Sequence, residues 1–378
     1  AVGAVIVGQA AQGTADGVVA VGDFARAEAD GAIAIGDNSQ SFSDGAVAIG
    51  DGTDATDLGA IAIGDFAQGT EDGVVALGAS ADATFDGAIA IGDNAEGSGD
   101  GAIGIGDFAD ATITGAIAIG DNADAFGVSS VSIGAFADAT VSGAIAIGGD
   151  STDSGSTGAS ARGFESIAIG IDSEAGSTGS VSLGRRAISS NPGATAIGSA
   201  AQATGTSATA LGAGAQASAI SSIAIGSANV SGEDAIGIGA GAFTNGSESV
   251  AIGLSTNAQG TGSVALGSLS FTFNSGSVAI GRGAVSTLFS AISIGETSDA
   301  NGIAAVALGG DLDDDNEGAQ ANGLGAVALG GDTSATGFGT IAVGANADAA
   351  AIDSVAVGLN ATASSSGSVA LGSGASST

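Results

Sequence analysis

The chain has 378 residues, with 70 Gly, one Pro, no Cys, Met or His, and 40 acidic residues against five arginines for a formal charge of −35. That charge repels nucleic acid and anionic membrane, whose binders need clustered Lys and Arg, and the missing Cys excludes disulfides and thiolate metal sites. The 44% hydrophobic content exceeds that of a disordered chain, Gly does not recur at every third residue as in collagen, and no apolar run approaches the roughly 20 residues of a membrane-spanning helix.

From the N-terminus, a glycine preceded by Ile, Val or Leu returns every fourteen residues, at Gly8, Gly22, Gly36, Gly50, Gly64, Gly78, Gly92, Gly106, Gly120, Gly134 and Gly148. One fixed short period is the mark of a solenoid, whose coils bury their apolar faces only by stacking. The repeat GAIAIGDNAEGSGD, residues 87–100, shows the plan of one coil. Its pentad AIAIG is apolar at every position, which predicts a strand covered on both faces: one face looks into the coil and the other into a neighbour. The pattern leaves open which is which. After the glycine, Ala95 and its equivalents Ala25, Ala67, Ala109, Ala123 and Ala137 alternate with polar residues, predicting a second strand with one wet face. The pentad glycine and Asp-Gly pairs such as Asp86-Gly87 supply positive φ for two tight turns. The predicted fold is all-β, a parallel β-roll with 14-residue coils. Stacked at about 4.8 Å, the 26 pentad glycines imply a rod on the order of 120 Å long. Up to Gly148, GAIAIG closes every second coil, consistent with a duplicated two-coil unit.

The period breaks three times. Gly148 to Gly170 is eight residues too long, Gly226 to Gly239 one too short, and Gly309 to Gly330 seven too long. These breaks predict regular acidic coils over 1–148, an insertion over 149–163, Ser/Thr/Ala-rich coils over 164–309, an acidic insertion over 310–322 and C-terminal coils over 323–378. Residues 1–150 hold 23 acidic side chains, whereas 175–232 hold none.

Three features carry candidate chemistry. The Asp after the coil glycine recurs as Asp23, Asp37, Asp51, Asp65, Asp93, Asp107 and Asp121. Stacking sets these carboxylates about 5 Å apart, either as a cation-binding ridge or, the simpler reading, as solvated turn residues. In the second insertion, Asp311, Asp313, Asp315 and Glu317 alternate as in many calcium-binding loops, which marks them as candidate Ca²⁺ ligands. An EF-hand is excluded, because Gly318 comes too late for its turn and Asn322 stands where its bidentate Glu belongs. Phe24, Phe66, Phe108 and Phe136 each lie two places after a coil glycine. They form either an exposed stripe for lateral contacts or, the preferred expectation, ordinary packing at the roll's edge. With no His, Cys or Lys, no catalytic constellation emerges, and the chain does not read as an enzyme.

The pentads SIAIG at 166–170 and 222–226, SVAIG at 249–253 and 277–281, and SVALG at 263–267 and 368–372 resemble the head repeat of trimeric autotransporter adhesins, the YadA-like head. The resemblance implies a left-handed roll, three chains side by side as a homotrimer, and a place at a bacterial surface for attachment to matrix, cells or other surfaces. The acidic excess also suits an extracellular location. No neck, heptad stalk or barrel anchor stands within residues 1–378. The expected function is thus an adhesin head, with a subunit of an extracellular filament built by end-to-end stacking as the alternative. The expected partners are the chain itself and an unidentified surface, matrix or cell ligand, with neither nucleic acid nor a membrane-spanning segment.

Overall fold

The computed structural model describes residues 2–150, 157–313 and 316–378, and it is built of strands and turns, with no helix among them. The chain divides into two compact units, Ala1–Gly193 and Ala194–Thr378.

Each coil carries one three-residue strand and one two-residue strand. In the repeat at 87–100 these are Ile89–Ile91 and Glu96–Gly97, joined by a first turn at Gly92–Asn94 and followed by a second turn at Gly99–Gly101. Within each unit the long strands stack into one parallel sheet and the short strands into another. In the first unit Ile89 pairs in register with Val75 before it and Ile103 after it. In the second, Val327 sits between Val306 and Ile341. Among the described pairings no residue slips, because a one-residue shift would exchange the inward and outward sets of the whole strand.

The two sheets face each other across a core of alanine. Ala88, Ala90 and Ala95 are fully or almost fully buried, while Ile89 and Ile91 are only half-buried. This decides the orientation that the apolar pentad left open: its small residues point in and its β-branched residues point out. A fourteen-residue coil encloses so little space that few interior side chains are larger than Ala or Ser, with Val18, Val74 and Val230 among the largest. Where Ser replaces Ala, some hydroxyls are satisfied internally: Ser41 Oγ donates to the Ala46 carbonyl at 2.8 Å, and Ser293 Oγ to the Ser298 carbonyl at 2.7 Å, whereas those of Ser132 and Ser354 have no partner among the described residues.

The pentad glycine has two reasons to be glycine. Gly92 sits at φ 138°, and a Cβ there would fall on the backbone carbonyl of Gly106 in the next coil. A third positive-φ position, two residues after this glycine, has no glycine signature. It is filled by Asn38, Asn94 and Asn122, but also by Phe24, Phe66, Phe108 and Phe136, at φ between 51° and 62°.

Both long insertions leave the stack at the first turn. The coil resumes when Ser160–Ala161 pairs with Asp138–Ala139, and Gln320–Ala321 with Asp299–Ala300. The missing residue of the coil after Gly226 is also lost from the first turn. There Gly226 relaxes to φ 83°, while the strands on either side keep their register. Insertions and deletions thus gather at one edge, where they do not disturb the two ladders.

Candidate functional site

The chemistry of this chain is spread over ladders, since every coil repeats the same positions about 4.8 Å further on. Four such surfaces stand out. On the long-strand sheet, the outward Val, Ile and Leu of successive coils form two apolar columns. In the first unit one runs Val21, Ile35, Ile49, Ile63, Leu77, Ile91 and onward to Leu183. In the second unit its counterpart runs from Ile197 through Ile252 and Ile294 to Leu371. Ile35, Ile63 and Ile252 are 37%, 38% and 39% exposed. A continuous column of branched aliphatic side chains facing solvent is the mark of an interaction surface.

The first-turn aspartates have a structural task that spacing alone does not disclose. Asp23 Oδ1 accepts the backbone N–H of Gln9 at 2.8 Å, and Asp37 accepts that of Asp23 at 2.8 Å. Asp93 and Asp107 do the same for Ala79 and Asp93. Each carboxylate therefore staples its own coil to the one before, satisfying a turn N–H that the ladders leave over. At the second turn Asp30, Asp44 and Asp72 repeat the device toward Asp16, Asp30 and Leu58.

A denser acidic column lies on the short-strand sheet, where sequence reasoning did not look. Asp82, Glu96, Asp110, Asp124 and Asp138 pair in register on consecutive coils. Their signal in the sequence is the Asp-Ala dyad at 82, 110, 124 and 138, hidden because the adjacent alanine column draws the eye. Burial, reinforced by the like charges of Asp110 and Asp138, pushes Asp124 up to about 6. Asp82 and Asp110 are raised by burial and then by Glu96, and Asp138 by burial against the opposing pull of Arg162. Arg162 lies 3.8 Å from both Asp138 and Glu174. Beside the column, Phe108, Asn122 and Phe136 line a shallow groove of about 410 Å³ whose floor is Asp110, Asp124 and Asp138. The edge-packing expectation is corrected for three of the four phenylalanines: Phe24, Phe66 and Phe108 are 53%, 63% and 53% exposed, while Phe136 is half-buried. At a left-handed turn position the side chain projects away from both sheets, so no core is within its reach.

In the second insertion, Asp311 and Asp313 come together with Asp332, carboxylate oxygens within 4.8 Å of one another. Asp332 belongs to the following coil, which is why a linear motif does not find it. Asp315 lies outside the described residues. Glu317 is not in the cluster; its Oε2 accepts from Gln320 Nε2 at 3.2 Å beside a small cleft that Asp332 also lines. Aspartates hold the described ends of the loop: Asp311 accepts the N–H groups of Asp313 and Asn316 at 3.1 and 2.7 Å, and Asp332 of the following coil that of Leu312 at 3.2 Å. Three convergent carboxylates are a donor set suited to a hard cation.

Among the described residues the groups of candidate chemistry recur from coil to coil and are not gathered into one cleft. The chain matches the YadA head domain repeat (two copies) at residues 14–39, 43–67, 75–95, 98–123, 161–187, 189–215, 203–229, 231–256, 258–284, 321–347, 335–361 and 349–375. No curated protein matches it. The matched segments cover well over half of the chain, so it belongs to the YadA head family, a bacterial surface adhesin type that is structural and not enzymatic in character.

Proposed function

We propose that this chain is the head of a cell-surface adhesin that assembles as a homotrimer through its long-strand sheet and attaches to its target by many weak contacts repeated from coil to coil. The observation that carries the reading is the pair of solvent-facing Val/Ile/Leu columns. Burying each half-exposed branched side chain between copies contributes roughly 1 kcal/mol, and the columns repeat that gain at every coil. The short-strand sheet, with its acidic column and aromatic groove, then remains outside and available to a target. Repetition of one weak contact along a ladder gives avidity without a deep pocket.

Sedimentation equilibrium on the full chain tests the assembly. Ile91→Asp and Ile119→Asp, each placing a charge in an apolar column, are expected to weaken association by at least about tenfold, whereas Asn94→Asp at the first turn leaves it unchanged. A wild-type monomer at micromolar concentration, or equal effects from both kinds of variant, would refute the face assignment. Continuous fibres in electron micrographs in place of discrete three-chain particles would favour end-to-end filament assembly. The Asp311, Asp313 and Asp332 cluster adds a calcium site to the proposal, supported by the convergence of the three carboxylates.

A further inference from the structure

The second-turn edge changes character along the chain. The central residue of this turn is Asp16, Asp30, Asp44, Asp72, Asp86 or Asp100 in six of the first seven coils, and isolated apolar residues, Leu58, Val128 and Phe164, hold it elsewhere in the first unit at 57%, 48% and 51% exposure. In the second unit the same position is held on five consecutive coils by Phe289, Ile303, Leu324, Phe338 and Ile352, which are 52%, 43%, 44%, 52% and 54% exposed. Backbone bonds fix the stacking: Ala304 N–H donates to the Phe289 carbonyl, Gly325 to Ile303, Gly339 to Leu324 and Asp353 to Phe338, at 2.8 to 3.0 Å. At about 4.8 Å per coil the five side chains form an uninterrupted apolar strip on the order of 20 Å long.

We propose that this strip is buried against a second copy of the chain, so that the trimer interface wraps around the second-turn edge over the five coils from Phe289 to Ile352. The inference rests on the trimer reading above and locates where that trimer is held most tightly. Three observations select a copy of the chain as the occupant. First, the strip is continuous with the outward columns: each member stands three residues before an outward residue of the long strand, Phe289 before Ile292, Leu324 before Val327, Phe338 before Ile341. Covering the columns alone would leave a large apolar margin in water. Second, a cyclic trimer is built from heterologous contacts, one edge of each chain against a different surface of the next. A neighbouring copy has the same coil rise, so its side chains keep step with the strip over all five coils. A partner without this repeat matches one or two. Third, the strip itself carries no charge, on a chain whose net charge of −35 repels its copies elsewhere.

The test uses the full chain with Leu324→Asp and Phe338→Asp together. The fold tolerates Asp at this turn position, as Asp30, Asp44 and Asp72 show by bonding to the coil before. Circular dichroism is therefore expected to be unchanged, while the concentration at which the trimer dissociates rises at least about tenfold in sedimentation equilibrium. Leu254→Asp, at an equally exposed apolar residue of the first-turn edge in the same unit, serves as the control and is expected to leave dissociation where it was. If the wild type is trimeric and the double variant dissociates no more readily, the strip faces something other than a copy and this inference fails while the trimer reading stands. If the wild type is monomeric, both fail. Should the aspartates disturb the circular dichroism, Leu324→Ser with Phe338→Ser gives the same reading without charge: weaker association supports the strip, unaltered association overturns it.

Discussion

At the scale of single residues, the fold is governed by what one coil does to the next. A side chain that would be unremarkable alone meets its own kind about 4.8 Å away, so small effects accumulate along a column. Phe24, Phe66, Phe108 and Phe136 occupy a left-handed conformation that costs a bulky side chain roughly 1 kcal/mol relative to glycine, and the first three do so with more than half of their surface in solvent. Exposed strain of this kind points to use of the aromatic face. The acidic column shows the same accumulation in its protonation. Asp124 is raised by burial and by Asp110 and Asp138 on either side, to about 6 from an ordinary 3.8. A carboxyl whose folded value is raised binds its proton more tightly in the folded state. Its stabilising contribution is therefore complete below about 3.8 and is lost as pH rises through about 6. The protein is expected to melt at a higher temperature at pH 5 than at pH 7.5. Asp124→Asn should raise the midpoint at pH 7.5, leave it nearly unaltered at pH 4, and flatten the profile between. A melting temperature indifferent to pH over this window, or lowered by Asp124→Asn at pH 7.5, would contradict the account of the column.

Individual elements were legible in the sequence to very different degrees. The strand Ile89–Ile91, its turn glycines and the alanine of the short strand follow from period and composition, because the constraints on them are local: φ at Gly92, alternation in the pentad, a small residue wherever two sheets meet. Orientation of the pentad was not legible, since Ala and Ile are both apolar, and only the width of the roll decides that Ala goes inside. The acidic column and Asp332 were missed for a related reason, as both depend on which residues become neighbours after stacking. The second insertion illustrates the point. The alternation of Asp311, Asp313, Asp315 and Glu317 marks an acidic loop, but the third carboxylate of the cluster comes from the next coil, as Asp332. That arrangement makes a cross-coil prediction. Isothermal titration with Ca²⁺ is expected to show a site that Asp332→Asn weakens as strongly as Asp311→Asn, although the two residues are far apart in sequence. Binding that depends on Asp311 but not on Asp332 would place the ion elsewhere in the loop, and no binding at millimolar Ca²⁺ would leave the carboxylates to the ordering of the loop.

For the whole molecule the governing quantity is charge against apolar surface. Residues 1–193 carry 27 acidic side chains against four arginines, and residues 194–378 carry thirteen against one. Bringing copies together places like charges side by side while the Val/Ile/Leu columns pull them into contact, so association is a balance that salt can move. At about 0.01 M ionic strength the screening length is roughly 30 Å and charges on adjacent copies feel one another in full; at about 0.15 M it is roughly 8 Å and only near neighbours interact. Apolar burial hardly changes over that range. The concentration at which the assembly dissociates is therefore expected to fall by at least about tenfold between these two conditions and to level off beyond, as followed by sedimentation equilibrium in NaCl with a chelator present. The chelator matters to the logic. If association proves insensitive to NaCl only when Ca²⁺ is present, bound cations have already neutralised the carboxylates and the acidic columns act as cation sites. If it is insensitive with the chelator as well, the copies meet with their acidic columns held farther apart than a screening length, on faces turned away from the contact, and charge has no part in setting how tightly the chains assemble.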